Sequence, residues 1–258
     1  MNKKNILKPF GIEVISHASG ESLGSIPVPE LKELIARHRF VVFRDFAPQT
    51  DEAMIEFCKT LGGIMEWEFG AVNELKVREK SANYLYTHSA VPFHWDGAFV
   101  QKIPQYIFFS CVEAPGQALG GETIFCDTPL LLSRLSQDQI DLWKKITITY
   151  KTEKIVHYGG VFTSPLIEAH PKTRELILRF AEPVLDLNPV ELVIHHLPES
   201  EHEKFIEDVR KLLYSPDFCY AHQWKKGDIV IADNYTLLHG RNAFLNSAKR
   251  HLRRVNIL

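Results

Sequence analysis

Apolar positions along this chain recur with two periods, one of a helix and one of a strand. Leu31, Leu34 and Ile35 follow Pro29 at helical spacing, and proline suits the first turn of a helix, where no N–H is needed. Residues 40–43 (FVVF) then read as a buried strand. Thr50 stands where it can cap a second helix with the apolar face Met54, Phe57, Cys58 and Leu61, and Gly62-Gly63 stops it.

The middle of the chain predicts short strands between turn residues. Residues 105–112 are aromatic and β-rich and end at Ala114-Pro115-Gly116; residues 121–126 form another short strand. Ser136 with Gln139 makes a capping box before a short helix through Lys144, and residues 146–150 (ITITY) alternate as a half-buried strand does. A second capping box, Ser200 with Glu203, precedes the stripe Phe205, Ile206, Val209, Leu212 and Leu213, the pattern of a helix lying on a sheet. Strands are expected again at 218–222, 228–232 and 252–257. Many short strands and a few helices, without regular strand–helix alternation, predict an α+β chain that is mainly β, a barrel or jelly roll with helices packed outside. Without repeats, low-complexity tracts or a Gly/Ser linker, residues 1–258 are expected to form one domain.

Composition changes this picture little. Of 258 residues, 45% are apolar and 24% charged, and 30 Lys+Arg against 32 Asp+Glu leave a net charge of −2. That balance argues against a general polyanion binder, which needs a basic face. No apolar run reaches membrane-span length, and Lys8 and Pro9 interrupt any signal-peptide core at the start. Cys58, Cys111, Cys126 and Cys219 form no C-x-x-C pair and are expected to be buried, reduced thiols of a cytoplasmic protein.

Candidate chemistry concentrates in Val91-Pro92-Phe93-His94-Trp95-Asp96-Gly97. If this is a strand, His94 and Asp96 share a face and can meet one metal ion. A third ligand could come from any remaining histidine. His239 is the best placed, at the end of an apolar stretch and before Gly240. Two histidines and a carboxylate on one side of a metal leave open positions on the other, the facial triad of non-haem Fe(II) oxygenases. The H-x-D motif alone is weak, because chance gives about one or two H-x-[DE] matches in such a composition. Near the end, Arg250, Leu252 and Arg254 would share one face of a strand and His251, Arg253 and Val255 the other. Inward arginines call for anionic partners, and a dicarboxylate suits their fork. His195-His196 face opposite ways in a strand, and His157, His170, His202 and His222 lack partners at ligand spacing; all six are expected to be structural or on the surface.

The ordered set F-H-W-D-G (93–97), G-G-E-T (120–123), G-D-I-V-I-A-D-N (227–234), L-H-G-R (238–241) and Arg250-x-x-x-Arg254 resembles the TauD/TfdA family of Fe(II)/2-oxoglutarate-dependent oxygenases. The resemblance implies a double-stranded β-helix (jelly-roll) core with flanking helices and the site in its mouth. It implies Fe(II) on His94, Asp96 and His239, with 2-oxoglutarate and O₂ as co-substrates. It further implies that Thr123 and Arg250 hold the distal carboxylate of 2-oxoglutarate, and that Arg254 meets an anionic group of the substrate. Retention of Asp96 favours hydroxylation or desaturation over chlorination, since related halogenases replace this carboxylate.

Trp67-Glu68-Phe69-Gly70-Ala71-Val72, together with residues 91–97, is similar to a narrower group. These are the oxygenases of paerucumarin- and rhabduscin-type pathways, which desaturate an isonitrile derived from an amino acid, usually tyrosine. On that resemblance Trp67, Phe69, Phe93 and Phe99 would line an aromatic substrate pocket. The expected partner is a small, carboxylate-bearing molecule of secondary metabolism, with no nucleic acid or membrane, and the family's habit of pairing subunits implies a homo-oligomer. The competing readings are a cupin-like metalloenzyme that does not use 2-oxoglutarate and a non-catalytic, ligand-binding jelly roll.

Overall fold

The computed structural model describes residues 2–18, 20–100, 102–153 and 158–258. The first part of the chain runs β1 (Lys3–Ile6), β2 (Ile12–Ile15), α1 (Val28–His38), β3 (Phe40–Arg44), α2 (Asp51–Leu61), β4 (Asn73–Lys76) and β5 (Val91–His94). Next come β6 (Tyr106–Glu113), β7 (Thr123–Asp127), α3 (Thr128–Leu132), α4 (Gln137–Trp143), β8 (Thr147–Thr152) and β9 (Gly160–Pro165). The remainder is β10 (Ile167–Ala169), β11 (Leu176–Leu178), β12 (Glu191–His195), α5 (His202–Leu213), β13 (Cys219–His222), β14 (Ile229–Asp233), β15 (Leu237–Arg241) and β16 (His251–Ile257).

Two sheets carry the architecture. The larger has the order β1-β2-β3-β14-β6-β16-β4 and the smaller β13-β7-β15-β5. Only the β2–β3 pair in them is parallel. Their facing sides share one apolar cluster: Phe40, Phe109, Val230 and Leu252 from the larger sheet meet Val91, Phe125 and Leu237 from the smaller. The rings of Phe40 and Phe125 stack across it with centroids 5.1 Å apart.

The FVVF run is explained by its position. Phe40 and Val42 face the smaller sheet, while Val41 and Phe43 face the other way, onto Leu31 and Ile35 of α1 and Met54 and Phe57 of α2. A central strand covered on both faces has no polar side. Behind the smaller sheet a third cluster joins Phe93, Ile124, Cys126 and Leu238 to α4, α5 and the sheet β12-β8-β9.

The predicted ends of helices hold in part. Thr50 and Ser136 are extended and accept from the N–H groups of Ala53 and Gln139. Gly62 follows α2 because a Cβ there would lie 2.2 Å from the Leu258 carbonyl oxygen. The Ser200 cap is not formed. Residues Glu199–Glu201 make a 3-10 turn, Glu201 precedes α5 in helical conformation, and no side chain caps it. Ser200 lies inside that turn, so it does not take the extended conformation a capping serine needs. The apolar stripe is as expected, with Phe205, Val209 and Leu213 buried. Cys58, Cys111 and Cys126 are buried and Cys219 half-buried, all as free thiols. Burial pushes Cys111 up to about 12 and Cys219 to about 11. No helix among the described residues is long and apolar enough to cross a membrane.

Candidate active site

The smaller sheet sets the first two groups. β5 and β15 are antiparallel neighbours, and His94 pairs directly with His239. Directly opposed residues place their side chains on the same face, and the two imidazole centroids lie 4.3 Å apart. Strand register therefore brings the histidines together across a large sequence separation.

Asp96 arrives by another route than strand alternation. β5 ends at His94, so Asp96 sits in the turn beyond it. Asn234 clasps that turn: its Oδ1 accepts from the Asp96 N–H at 2.9 Å, and its Nδ2 donates to the carbonyls of Asp96 (3.1 Å) and Pro104 (2.9 Å). Gly97 has φ 95°, and a Cβ there would stand 2.5 Å from the Lys102 carbonyl oxygen. The glycine of the motif is thus required by a left-handed turn with backbone packed against it.

The result places Asp96 Oδ1 3.7 Å from His94 Nε2 and 3.8 Å from His239 Nε2. One ligand atom from each residue lies within 4.8 Å of the others, and no second such cluster occurs among the described residues. His94 Nδ1 is 2.9 Å from the Pro92 carbonyl. A carbonyl only accepts, so Nδ1 carries the proton and Nε2 offers its lone pair. His239 Nε2 is buried without a hydrogen-bond partner. Burial, with His94 beside it, pushes the pKa of His239 down to about 3, so the ring is neutral at pH 7. Burial would raise the Asp96 carboxyl, but the Arg254 guanidinium beside it, helped by the Asn256 amide, outweighs it and holds the group well below the ordinary carboxylate range. Two neutral imidazoles and one ionised carboxylate, with an orphaned nitrogen aimed at their centre, fit a divalent transition metal such as Fe(II).

Arg254 Nη1 is 2.9 Å from Asp96 Oδ2, and Asn256 Nδ2 donates to the same oxygen at 2.8 Å. The residue expected to meet substrate thus also pairs with the carboxylate of the cluster. It borders two cavities, both of which are also lined by His94.

One cavity is bounded by His94, His239, Phe109, Thr123, Arg250 and Arg254. Arg250 donates from Nε to the Gly121 carbonyl (2.8 Å) and from Nη2 to Thr123 Oγ1 (3.1 Å). Both acceptors are neutral, and burial pushes the guanidinium pKa down. Thr123 Oγ1 also accepts from Trp224 Nε1 at 3.0 Å. With both lone pairs engaged, the threonine proton is left for an occupant. A buried cation beside a hydroxyl donor is a seat for a carboxylate.

The second cavity is aromatic, with Trp67, Tyr84, Phe99, Tyr150 and Tyr158 in its wall. Trp67 stacks on Phe69, which is exposed at the surface, and Phe99 stacks on Tyr158. Phe93 borders the same cavity, but its ring is wholly buried and meets Tyr214 edge-on at 4.8 Å.

Residues 4–256 match the family model described as taurine catabolism dioxygenase TauD, TfdA family. The chain belongs to the TauD/TfdA family. It is accordingly an Fe(II)/2-oxoglutarate-dependent dioxygenase, an oxidoreductase. This excludes the cupin-like and non-catalytic readings. The chain is 42% identical over 256 residues to a 3-((Z)-2-isocyanoethenyl)-1H-indole synthase of Fischerella ambigua, covering 98% of this chain and 94% of that protein. It is 37% identical over 254 residues to a tyrosine isonitrile desaturase of Pseudomonas aeruginosa, covering 96% and 87%. Among solved structures it superposes on PvcB, described as an Fe, alpha-ketoglutarate dependent oxygenase from an isonitrile synthetic pathway. That match has a TM-score of 0.83 and 33% identity, and covers 99% of this chain and 91% of the other.

Several residues of this TauD/TfdA site carried no sequence signal of their role. Asn234 and Arg241 lie inside quoted motifs but act on distant segments. Arg241 donates to the carbonyls of Tyr84, Leu85, Thr87 and Ser89 and so pins the segment that carries Tyr84. Trp224 and Tyr84 belong to none of the motifs. The other histidines join no metal cluster among the described residues. His195 meets Thr149, His202 meets the Leu197 carbonyl, and His170 lies 3.9 Å from Asp233. His157 lies outside the described residues.

His222 is fully buried, with Nε2 3.3 Å from Asp228 Oδ2 and its ring against Trp224. Burial depresses its pKa below 6.5, opposed by Asp228. Below about pH 6.5 the unfolded chain therefore takes up a proton that the folded chain does not, and stability falls with pH by up to about 1.4 kcal/mol per unit. Urea denaturation of the metal-free protein at several pH values should show a shallower acid-side slope for His222→Phe than for wild type. Identical slopes would remove His222 from the account.

Proposed function

We propose that this dioxygenase desaturates an aromatic isonitrile acid derived from tyrosine or tryptophan. His94, Asp96 and His239 would hold Fe(II), and Thr123 with Arg250 would hold the far carboxylate of 2-oxoglutarate. The facing sheets are read as the double-stranded β-helix of the family, with the triad in its mouth. One observation carries the reading: the triad residues line both a cavity with a carboxylate seat and an aromatic cavity, and His94 borders the two. The isonitrile class is supported by the relatives, two of which are named for an isocyanoethenyl indole and for desaturation of tyrosine isonitrile.

Bound iron, with 2-oxoglutarate and O₂, supplies the oxidising power for C–H cleavage, the keto acid ending as succinate and CO₂. The chain's own contribution is placement. Strand register fixes the two imidazoles, and the Asn234 clasp fixes the carboxylate. Arg254 keeps Asp96 ionised, its Nε is buried without a partner among the described residues, and the residue borders the aromatic cavity. Trp67 and Phe99 offer flat apolar surface to an aromatic ring and keep water from the reacting bond, while Phe93 backs the wall at the strand.

The test is turnover of the iron-loaded enzyme with 2-oxoglutarate, O₂ and the isonitriles of tyrosine and tryptophan. Succinate should form in step with an alkene product, lighter than the substrate by two hydrogens, or by two hydrogens and CO₂ where the substrate carboxylate is also lost. Succinate formation that no aromatic isonitrile stimulates would reject the substrate assignment.

A further inference from the structure

The carboxylates bordering the aromatic cavity are already engaged. Asp96 accepts from Arg254 and Asn256. Glu182 Oε1 accepts from the Phe93 N–H (2.9 Å) and the Tyr214 hydroxyl (2.8 Å), and its Oε2 lies 2.7 Å from Arg210 Nε. The Tyr150 hydroxyl accepts from the Ala181 N–H and donates to the Arg179 carbonyl. Donors, by contrast, are in surplus. The Trp95 indole N–H and Arg254 Nε are buried with no partner among the described residues.

Tyr84 adds a donor whose direction is fixed by its neighbours. Asn83 Oδ1 accepts from the Leu85 N–H at 2.8 Å, which settles which end of that amide donates. Asn83 Nδ2 (3.0 Å) and Asn188 Nδ2 (3.2 Å) then both donate to the Tyr158 hydroxyl oxygen. The Tyr158 hydroxyl in turn donates to the Tyr84 hydroxyl oxygen, 3.4 Å away. The Tyr84 proton must turn elsewhere, and Tyr84 borders the cavity beside Asp96 and Arg254.

We propose that Tyr84 is the specificity-determining residue of this site: its hydroxyl donates to an acceptor on the substrate, and the donor-rich wall rejects a free amine. This rests on the isonitrile reading above and deepens it. An isonitrile and a carboxylate only accept hydrogen bonds. An ammonium group brings three donors, which would face donors and occupied carboxylates, and unpaired buried polar groups are costly. The reaction supplying the substrate must then be one that removes the N–H donors of an amino acid, and this enzyme acts after it.

The test compares kcat/KM of wild type, Tyr84→Phe and Tyr158→Phe on an aromatic isonitrile acid and on its parent amino acid. The affinity of the iron-loaded enzyme for 2-oxoglutarate is measured alongside, which also reports an intact site. Wild type should prefer the isonitrile by about 100-fold or more, and Tyr84→Phe should lose about 10–100-fold on the isonitrile. Its 2-oxoglutarate affinity should not change, and its preference over the amine should narrow. Tyr158→Phe should lose less, because it frees the direction of the Tyr84 proton without removing it. A carboxylate-free isonitrile locates the acceptor: sensitivity to Tyr84→Phe retained there assigns the isonitrile carbon, and sensitivity lost assigns the carboxylate. If wild type converts isonitriles and Tyr84→Phe matches it within about threefold, or loses equally on amine and isonitrile, the assignment to Tyr84 is overturned while the substrate reading stands. If wild type converts no isonitrile, the substrate reading falls and this one with it.

Discussion

Asp96→Gly should yield a protein that neither retains iron nor turns over 2-oxoglutarate above background. Asp96 is the single anion among the three grouped side chains, so its loss would remove charge as well as a donor atom. It also strands Arg254, which is buried and pairs with Asp96 at 2.9 Å. Breaking a buried pair from one side costs about 3–5 kcal/mol, so the variant should be less stable even without metal. Asp96→Asn separates the two effects. Its amide keeps the size and part of the hydrogen bonding, so the fold should survive while iron affinity falls. Metal content after dialysis and anaerobic visible titration with 2-oxoglutarate check both variants. A charge-transfer band of wild-type intensity in Asp96→Gly would take Asp96 out of the ligand set.

The second large effect is expected at Arg250. Arg250→Leu should weaken 2-oxoglutarate binding by about 30-fold to several thousand-fold, the equivalent of the roughly 2–5 kcal/mol carried by one partner of a buried charge pair. Iron content should be unchanged, because among the described residues Arg250 hydrogen-bonds only Gly121 and Thr123. Without the keto acid the buried cation has only neutral acceptors, so leucine should leave the metal-free protein at least as stable as wild type. The same anaerobic titration reads the affinity, and thermal denaturation reads the stability. An unchanged 2-oxoglutarate affinity would place the keto acid elsewhere in the mouth.

What was legible in the sequence follows from how local each cause is. The FVVF strand, the Thr50 cap and the α5 stripe depend on neighbours a few residues away, and they appear where periodicity puts them. The triad was legible because H-x-D, L-H-G-R and the terminal arginines occur as an ordered set, not because any one is specific. The reason given for Asp96 was wrong in detail: a clasped turn places it, and a strand does not. Ser200 failed as a cap because the chain enters α5 through a 3-10 turn. Asn234, Trp224 and the Tyr84–Tyr158 pair were illegible for a common reason: each acts on a residue far along the chain, and nothing in the local pattern marks such a partner.

The two imidazoles are spaced by main-chain pairing between β5 and β15, whereas Tyr84 opens a short 3-10 turn, Tyr84–Tyr86, and Trp67 lies outside the strands and helices in a lone bridge to Gly70. Under the roles proposed above, this divides the molecule into a part that would hold the metal and a part that would choose the substrate. Changes on the choosing side leave the ladder between His94 and His239 untouched. On that proposal, phenol would be exchanged for indole by a few substitutions around the aromatic cavity while the His94–His239 pairing stays constant. Such a chain would be a scaffold on which new natural products can be reached without rebuilding the catalyst.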